Sequence, residues 1–444
     1  MTDFIIRAKK VTLLIGDIFC LYFALFLTLI LRYGITSISA QWENHFWPFT
    51  LVIVLWLIVF YIGELYELKF KLKVSNLLGS LIKLFSINAI IAVTVFYFLS
   101  PFFGSLKPQR VLVIDIIISL ALIFLWMKIF PYIFKSSTTA KTLLIGYSPL
   151  NAEISSVVQK KSHLGYELLV EENLPENIND YCRSKNINLI ISSELLNKNI
   201  ETSQKLYECI AQGIDVLNIN RFYERITAKI PVEDIEYGWF FENVSQKPKL
   251  IYDGPKRAMD IVVGGIGCLI SLIFYPFVYI AIKLDDGGCI FSIQERVGKN
   301  NKPIKLLKFR TMSNANDGGK WGQAKNTVTR VGKFLRKSRI DELPQLWNVL
   351  KGDLSLIGPR PEFAEPVALY SKDISYYNIR HLIKPGLSGW AQINQEGEPH
   401  HGVDVNETRT KFSYDLYYIK NRNFVLDLSI ALKTIKLLLM RKGV

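Results

Sequence analysis

Of 444 residues only five are cysteine and five histidine. Cys20, Cys182, Cys209, Cys268 and Cys289 form no C-x-x-C pair and no metal-ligand spacing, which excludes a zinc ribbon, a redox dithiol and a disulfide scaffold. They read as buried, reduced thiols. No G-x-G-x-x-G run opens a strand–helix unit, so the fingerprint of a dinucleotide site is missing. Zinc-finger, RNP and helix-turn-helix signatures are missing too, so nucleic acid has no reading element here. The first apolar run is long and lacks a small-residue cleavage site, so it reads as an anchor and not a removable signal.

What the chain has is apolar surface and positive charge. Half its residues are hydrophobic and its mean hydropathy is +0.22, too apolar for an ordinary soluble enzyme. The 53 Lys and Arg exceed the 39 Asp and Glu, for a net charge of +14. From Ile251 onward there are 29 cations against 18 acids. Such a balance favours anionic lipid or phosphorylated substrates.

Four apolar stretches, Val11–Leu31, Phe46–Tyr66, Leu81–Leu99 and Val111–Phe134, are each near the ~20 residues a spanning helix needs. Arg7, Lys9 and Lys10 precede the first; Lys69, Lys71 and Lys73 separate the second and third; Lys135 and Lys141 follow the fourth. The other loops carry fewer cations (Arg32; Lys107 and Arg110), so the positive-inside rule puts both ends of the bundle in the cytoplasm. Asp17 and Asp115 fall within spans but near their ends, where an interface or a neighbouring cation accommodates them in a structural role.

Beyond Lys141 the pattern becomes strand–helix alternation. Lys141–Gly146, Ile187–Ile191 and Ile214–Asn218 read as strands of a small parallel α/β domain. In its first turn Pro149 and Leu150 stand where a pyrophosphate would need small residues, so a structural or regulatory module is expected. A Lys- and Pro-containing linker, Gln246–Pro255, leads to the uncharged run Ile261–Ile282. Gly264, Gly265 and Gly267 loosen its first half and Pro276 removes a backbone donor. By pattern alone this run is equally a spanning helix or a helix–break–helix that enters one leaflet and returns. The last apolar segment, Phe424–Leu439, reads as an amphipathic helix lying on protein or membrane.

The chemistry concentrates around Asp341-Glu342. Pro344 and the spacing of Leu346, Trp347, Val349 and Leu350 predict a helix that the two acids precede, with Gly352 as its stop. A helix N-terminus favours ionised carboxylates by roughly 0.3–1 kcal/mol and attracts phosphate. Arg330, Lys333, Arg336, Lys337 and Arg339 lead into the pair at spacings near three and four. Gly358-Pro-Arg-Pro361 holds Arg360 between two prolines, a restricted pose suited to an anion clamp. Arg296 lies beside a turn glycine, and Lys308-Phe-Arg-Thr-Met312 adds Lys308 and Arg310. Lys384–Gln392 supplies glycines where a backbone could approach a ligand.

Taken in order, Lys256-Arg-Ala-Met-Asp260, Gln294-Glu-Arg-Val-Gly298, Lys308–Met312, Asp341-Glu-Leu-Pro-Gln345, Asn348–Asp353, Gly358–Pro361 and Gly389-Trp-Ala-Gln392 resemble the motifs of bacterial sugar transferases. The type is the monotopic polyprenyl-phosphate phosphoglycosyl transferase, strongly from Tyr252 onward and by architecture before it. The resemblance implies a membrane protein of α plus α/β class. Residues 1–137 would form a four-helix transmembrane domain and 138–245 a Rossmann-like α/β domain. Residues 250–444 would form the catalytic domain, with a re-entrant helix over 256–283 broken at Pro276. It implies transfer of sugar 1-phosphate from a UDP-sugar to undecaprenyl phosphate, releasing UMP. Asp341 would be the nucleophile that forms a covalent sugar-phosphate intermediate, and Glu342 would assist as base or metal partner. Mg2+ is the implied cofactor, with Asp341 as ligand. Arg336, Arg360, Arg296, Lys308, Arg310, Pro361 and Gln392 would contact phosphate or substrate. The implied location is the bacterial inner membrane, catalytic part cytoplasmic, at the first membrane step of O-antigen, capsule or exopolysaccharide synthesis. The middle domain is a candidate for homodimer formation. Two positions depart from the family pattern: Tyr275 stands where a serine often precedes the proline, and Asn394-Gln-Glu-Gly397 replaces Asn-Gly-Arg. The rivals are a catalytically silent membrane scaffold, a nicotinamide oxidoreductase using the middle domain, and one-step transfer with the acids only as metal ligands.

Overall fold

The computed structural model describes residues 2–66, 74–99, 109–133, 140–161, 164–192, 200–244, 249–313, 327–395 and 404–439. Lys69, Lys71, Lys73, Lys107 and Lys135, cations on which the expected orientation of the bundle rests, lie outside them, as do residues 245–248 of the linker and 396–403 after Gln395. The chain forms two compact units, residues 1–219 and 220–444.

The first unit opens with helices α1 (Thr2–Tyr33), α2 (Ile38–Ile62), α3 (Val74–Leu99) and α4 (Gln109–Ile133). Four runs through these helices are long and apolar enough to cross a membrane: Ala8–Tyr33, Ile35–Ile62 (which adds the 3-10 turn before α2), Asn76–Phe98 and Arg110–Ile133. The apolar surface divides in two. Leu21, Leu25, Phe49, Trp56, Phe60 and Phe130 pack inward, while Phe19, Ile90 and Ile117 stay outward, on the face a bilayer would cover. Polar tips bridge the helices: Trp56 Nε1 donates to the Asn88 carbonyl (3.0 Å) and Trp126 Nε1 to that of Leu13 (3.3 Å). Helix α2 starts well before Phe46 and stops at Gly63, ahead of the expected Tyr66. Asp17 and Asp115 turn into the bundle interior, 0% and 3% exposed, and so do not sit at a wetted interface.

Next, β1 (Ala140–Ile145), α5 (Leu150–Lys160), β2 (Tyr166–Glu171), α6 (Ile178–Lys185), β3 (Leu189–Ser192), α7 (Ile200–Ala211) and β4 (Asp215–Asn218) build a parallel sheet of order β2-β1-β3-β4. This is the doubly wound arrangement with its switch between β1 and β3. Strand β2 escapes a reading by hydrophobic runs because its apolar run, Leu168–Val170, is only three residues long and is flanked by Glu167 and Glu171.

The second unit is mixed. Residues 230–240 pack in one apolar core with Val297, Val367, Tyr377 and Phe412. Helix α8 (Leu250–Leu272) and helix α9 (Tyr275–Asp285) meet at a 51° bend. At the bend the Ile273 and Phe274 N–H groups donate to the carbonyls of Ile270 and Ser271, and Pro276, which has no N–H, opens α9. Tyr275 packs its ring on Phe309 and Phe291, at 4.9 and 5.9 Å between centroids, so aromatic contact fills the place of a serine hydroxyl. The outer face of both helices, with Val262, Ile266, Leu269, Ile273, Phe277 and Ile280, is uncovered.

There follow an antiparallel hairpin, β5 (Phe291–Val297) and β6 (Pro303–Phe309), then α10 (Arg330–Ser338), α11 (Gln345–Lys351), β7 (Ser355–Ile357), α12 (Ala364–Asp373), β8 (Gly386–Ser388), α13 (Val405–Asn421) and α14 (Phe424–Leu439). Strands β7 and β8 pair in parallel. The glycines of Gly358–Pro361 and Lys384–Gln392 serve that crossing. A Cβ on Gly386 would lie 2.1 Å from the Gly358 nitrogen, and one on Gly389 2.5 Å from the Gly358 oxygen. The backbone they admit is the protein's own.

Candidate active site

Helix α10 ends at Arg339, which takes a left-handed conformation (φ 58°), and the chain enters a 3-10 turn, Ile340–Glu342, that carries both acids. Pro344 then leads into α11. Asn348 on α11 locks this turn to the hairpin: its Oδ1 accepts from the Leu307 N–H (3.1 Å) and its Nδ2 donates to the Lys305 carbonyl (2.8 Å). Arg257 on α8 caps the other end of α11, donating to the carbonyls of Val349 (2.7 Å) and Leu350 (2.6 Å). Asp260 accepts from Ser355 Oγ and the Leu356 N–H, and Lys256 pairs with Asp427 at 2.7 Å. The Lys256–Asp260 motif therefore fastens the bent helix pair to the element that bears the acids.

The hairpin register places Arg296, Leu306 and Lys308 on one face. With Glu342, Gln345, Arg360, Pro361, Gly386 and Leu387 they line a cavity. Of the two acids only Glu342 lines it; Asp341 precedes it in the same 3-10 turn and is not among the lining residues. Glu342 Oε1 accepts from Lys308 Nζ (3.0 Å) and from Arg360 Nη2 (2.9 Å), and Arg339 stands 3.8 Å from its other oxygen. Burial alone would raise its pKa, but Arg360, Lys308 and Arg339 outweigh it and hold the carboxyl far below the usual carboxylate range. Asp341 is 7% exposed, and its Oδ1 has no hydrogen-bond partner among the described residues. Burial and the adjacent Glu342 charge push its pKa up, against the pull of Lys308, Arg336 and Arg339. The helix-dipole expectation for the pair is thus modified residue by residue: local charges separate the acids more than the shared helix end unites them. The cations are perturbed too. Burial lowers Lys308 despite Glu342, and burial with Arg360 lowers Arg296 to about 10.

Similarity to known proteins fits this arrangement. Residues 251–441 match the family model described as bacterial sugar transferase. An uncharacterized sugar transferase of Bacillus subtilis is 37% identical over 190 residues, covering 43% of this chain and 89% of that protein. The chain belongs to the bacterial sugar transferase family. The chain is also 38% identical over 248 residues to the UDP-N-acetylgalactosamine-undecaprenyl-phosphate N-acetylgalactosaminephosphotransferase of Aeromonas hydrophila, covering 55% of this chain and 56% of that one. To the UDP-glucose:undecaprenyl-phosphate glucose-1-phosphate transferase of Escherichia coli it is 38% identical over 199 residues, 42% of each. The match thus spans about half the length of these two relatives.

Of the residues the motifs single out, Arg296, Lys308, Glu342, Arg360 and Pro361 meet at the cavity, and Asp341 is not among its lining residues. Arg336 stands behind it, its Nε donating to Thr311 Oγ1 (3.0 Å) while its charge reaches Asp341. Gln392 packs beside the Gly358–Gly389 crossing and does not line the cavity. Arg310 is a correction: it is buried, paired with Asp286 and bonded to the Cys289 carbonyl, so it has no free face for phosphate. Alternation alone would keep Arg310 on the face of Lys308, but β6 ends at Phe309 and the side chain pairs with Asp286 instead. Replacing Arg310 with Met breaks its pair with the exposed Asp286 and is expected to cost about 1 kcal/mol. That lowers the thermal midpoint by roughly 2–4 °C for a unit of this size, with the KM for donor unchanged; a selective rise in that KM would restore Arg310 to the site. Gln345, Leu306, Gly386 and Leu387 also line the cavity. Gln345 belongs to the Asp341–Gln345 motif and Gly386 and Leu387 to the Lys384–Gln392 element, whereas Leu306 carries no signal of its own in the sequence.

Mg2+ usually binds one or two carboxylates together with substrate phosphates. Among the described residues no three His, Cys, Asp or Glu side chains converge on a cage. Asp341, with its buried and unpartnered oxygen, fits the single-carboxylate mode. Glu342, spent on Lys308 and Arg360, does not.

Proposed function

We propose that this protein transfers a sugar 1-phosphate from a UDP-sugar to a polyprenyl phosphate such as undecaprenyl phosphate, with UMP as the leaving product. The observation that carries the reading is the division of labour within the dyad. One acid is locked between two cations, and its neighbour is buried with an oxygen that has no hydrogen-bond partner among the described residues. In the proposed reaction an Asp341 oxygen attacks the sugar-proximal phosphorus. The bond from that phosphorus to the bridging oxygen breaks and UMP departs with the electron pair. A polyprenyl phosphate oxygen then attacks the same phosphorus, breaking its bond to Asp341 and freeing the carboxylate. Two displacements replace one harder step, and a soluble donor and a lipid acceptor use one site in turn. Arg360, Arg296 and Lys308 would bind and orient the diphosphate. Mg2+, when bound at Asp341 and the diphosphate, would supply charge neutralisation.

Under this reading the bent pair α8–α9 is a re-entrant hairpin, its uncovered apolar face seated in one leaflet. The flanking polar parts then share the cytoplasmic side of the inner membrane, and the product opens a surface-glycan assembly. Incubating membranes that contain the protein with a panel of UDP-sugars and polyprenyl phosphate is expected to release UMP from at least one donor. Omitting the acceptor should leave a sugar-phosphate mass on the Asp341 peptide. UMP release with no such adduct under rapid quench would favour one-step transfer.

A further inference from the structure

A second charge cluster lies directly behind the Gly358–Pro361 turn, and the transfer steps leave it unused. Arg380 is 2% exposed. Its Nη1 stands 2.9 Å from Glu362 Oε2 and its Nη2 2.8 Å from Asp415 Oδ2. Lys411 and the Tyr377 hydroxyl also bond to Glu362, and Arg380 donates to the same hydroxyl. Two cations thus balance two carboxylates, with Arg380 and Asp415 fully buried and Glu362 and Lys411 partly so, and removing Arg380 strands the charge of Asp415. Burial would raise Glu362, but Arg380 and Lys411 hold it well below the carboxylate range.

The cluster grips both arginines of the cavity through the backbone. Arg380 Nη2 donates to the Arg360 carbonyl at 3.1 Å. The Glu362 carbonyl accepts from the Val297 N–H at 2.8 Å, beside Arg296, whose guanidinium lies 3.3 Å from the centroid of the Phe363 ring. Arg296 and Arg360 come from elements far apart in sequence, so nothing local sets their spacing. We propose that Arg380 and Glu362 are positioning residues that fix the separation of Arg296 and Arg360, so that the two guanidinium groups receive the donor diphosphate without rearranging. The proposal rests on the donor-site reading above. Small displacements of such groups are costly: about 1 Å can reduce turnover a hundredfold.

The test is a double-mutant cycle on the full-length protein in detergent. Arg380→Gln is expected to raise the KM for UDP-sugar by about tenfold, with the KM for polyprenyl phosphate within about twofold. In an Arg360→Ala background the same substitution should add no more than about twofold. A full tenfold loss in that background, or an unchanged donor KM, overturns the proposal. Should Arg380→Gln fail to fold, Tyr377→Phe removes one hydroxyl from the cluster. It should raise the donor KM several-fold only while Arg360 is present, and no rise overturns the proposal. Calorimetric binding of inorganic pyrophosphate separates the two readings. Wild-type protein that binds it, more weakly after Arg380→Gln, yet releases no UMP from any UDP-sugar, would end the transferase assignment and support the positioning role. Wild-type protein that binds no pyrophosphate ends both.

Discussion

Asp341→Asn is expected to reduce UMP release at least a thousandfold, about 4 kcal/mol of transition-state stabilisation, while leaving the protein folded. Asparagine has nearly the shape of aspartate and keeps the 3-10 turn intact, but its amide is a poor nucleophile for phosphorus. Glu342 keeps its bonds to Lys308 and Arg360, so the wall of the cavity stays in place. Stability is expected to move the other way. The folded state raises the Asp341 pKa, so ionised Asp341 opposes folding at neutral pH, and that opposition fades as pH falls through the raised value. Asp341→Asn removes the term, so its thermal midpoint at neutral pH should equal or exceed that of wild type. Function held at the expense of stability is common at active sites. Retained turnover by the variant would falsify the nucleophile assignment.

Glu342→Gln is expected to lower kcat/KM by about a hundredfold, because Lys308 and Arg360 lose the anion that aligns them. It should also shift the pH profile in a defined direction. Glu342 raises the Asp341 pKa, whereas Lys308, Arg336 and Arg339 lower it. Removing the Glu342 charge leaves the cations unopposed, so Asp341 ionises more readily and the acid limb of kcat/KM moves to lower pH. Profiles of UMP release for both proteins decide this. An acid limb that stays in place, or moves up, would mean that Asp341 is not the group titrating.

Much of this was legible in the residues because it is local. Asp341, Glu342 and Pro344 announce an acid pair at a helix entrance, and the β5–β6 alternation puts Arg296 and Lys308 on a common face. The family resemblance supplied roles that spacing could not. What stayed hidden is long-range. Arg310 reads as a free cation until the chain folds Asp286 against it. Glu362, Arg380, Lys411 and Asp415 form no motif, since three separate elements contribute them. The unequal state of the two acids depends on which cations the hairpin and the proline-bounded turn deliver, and no pattern within Asp341-Glu342 encodes that.

The crossing of Gly358, Gly386 and Gly389 limits how the site can be re-engineered. At each of these positions a methyl group would collide with main chain that has nowhere to retreat. Where this crossing meets the cavity, Gly386 therefore admits no larger residue. If the proposed transfer holds, a change of donor preference has to be sought at Leu306, Gln345 and Leu387, lining side chains that can be exchanged.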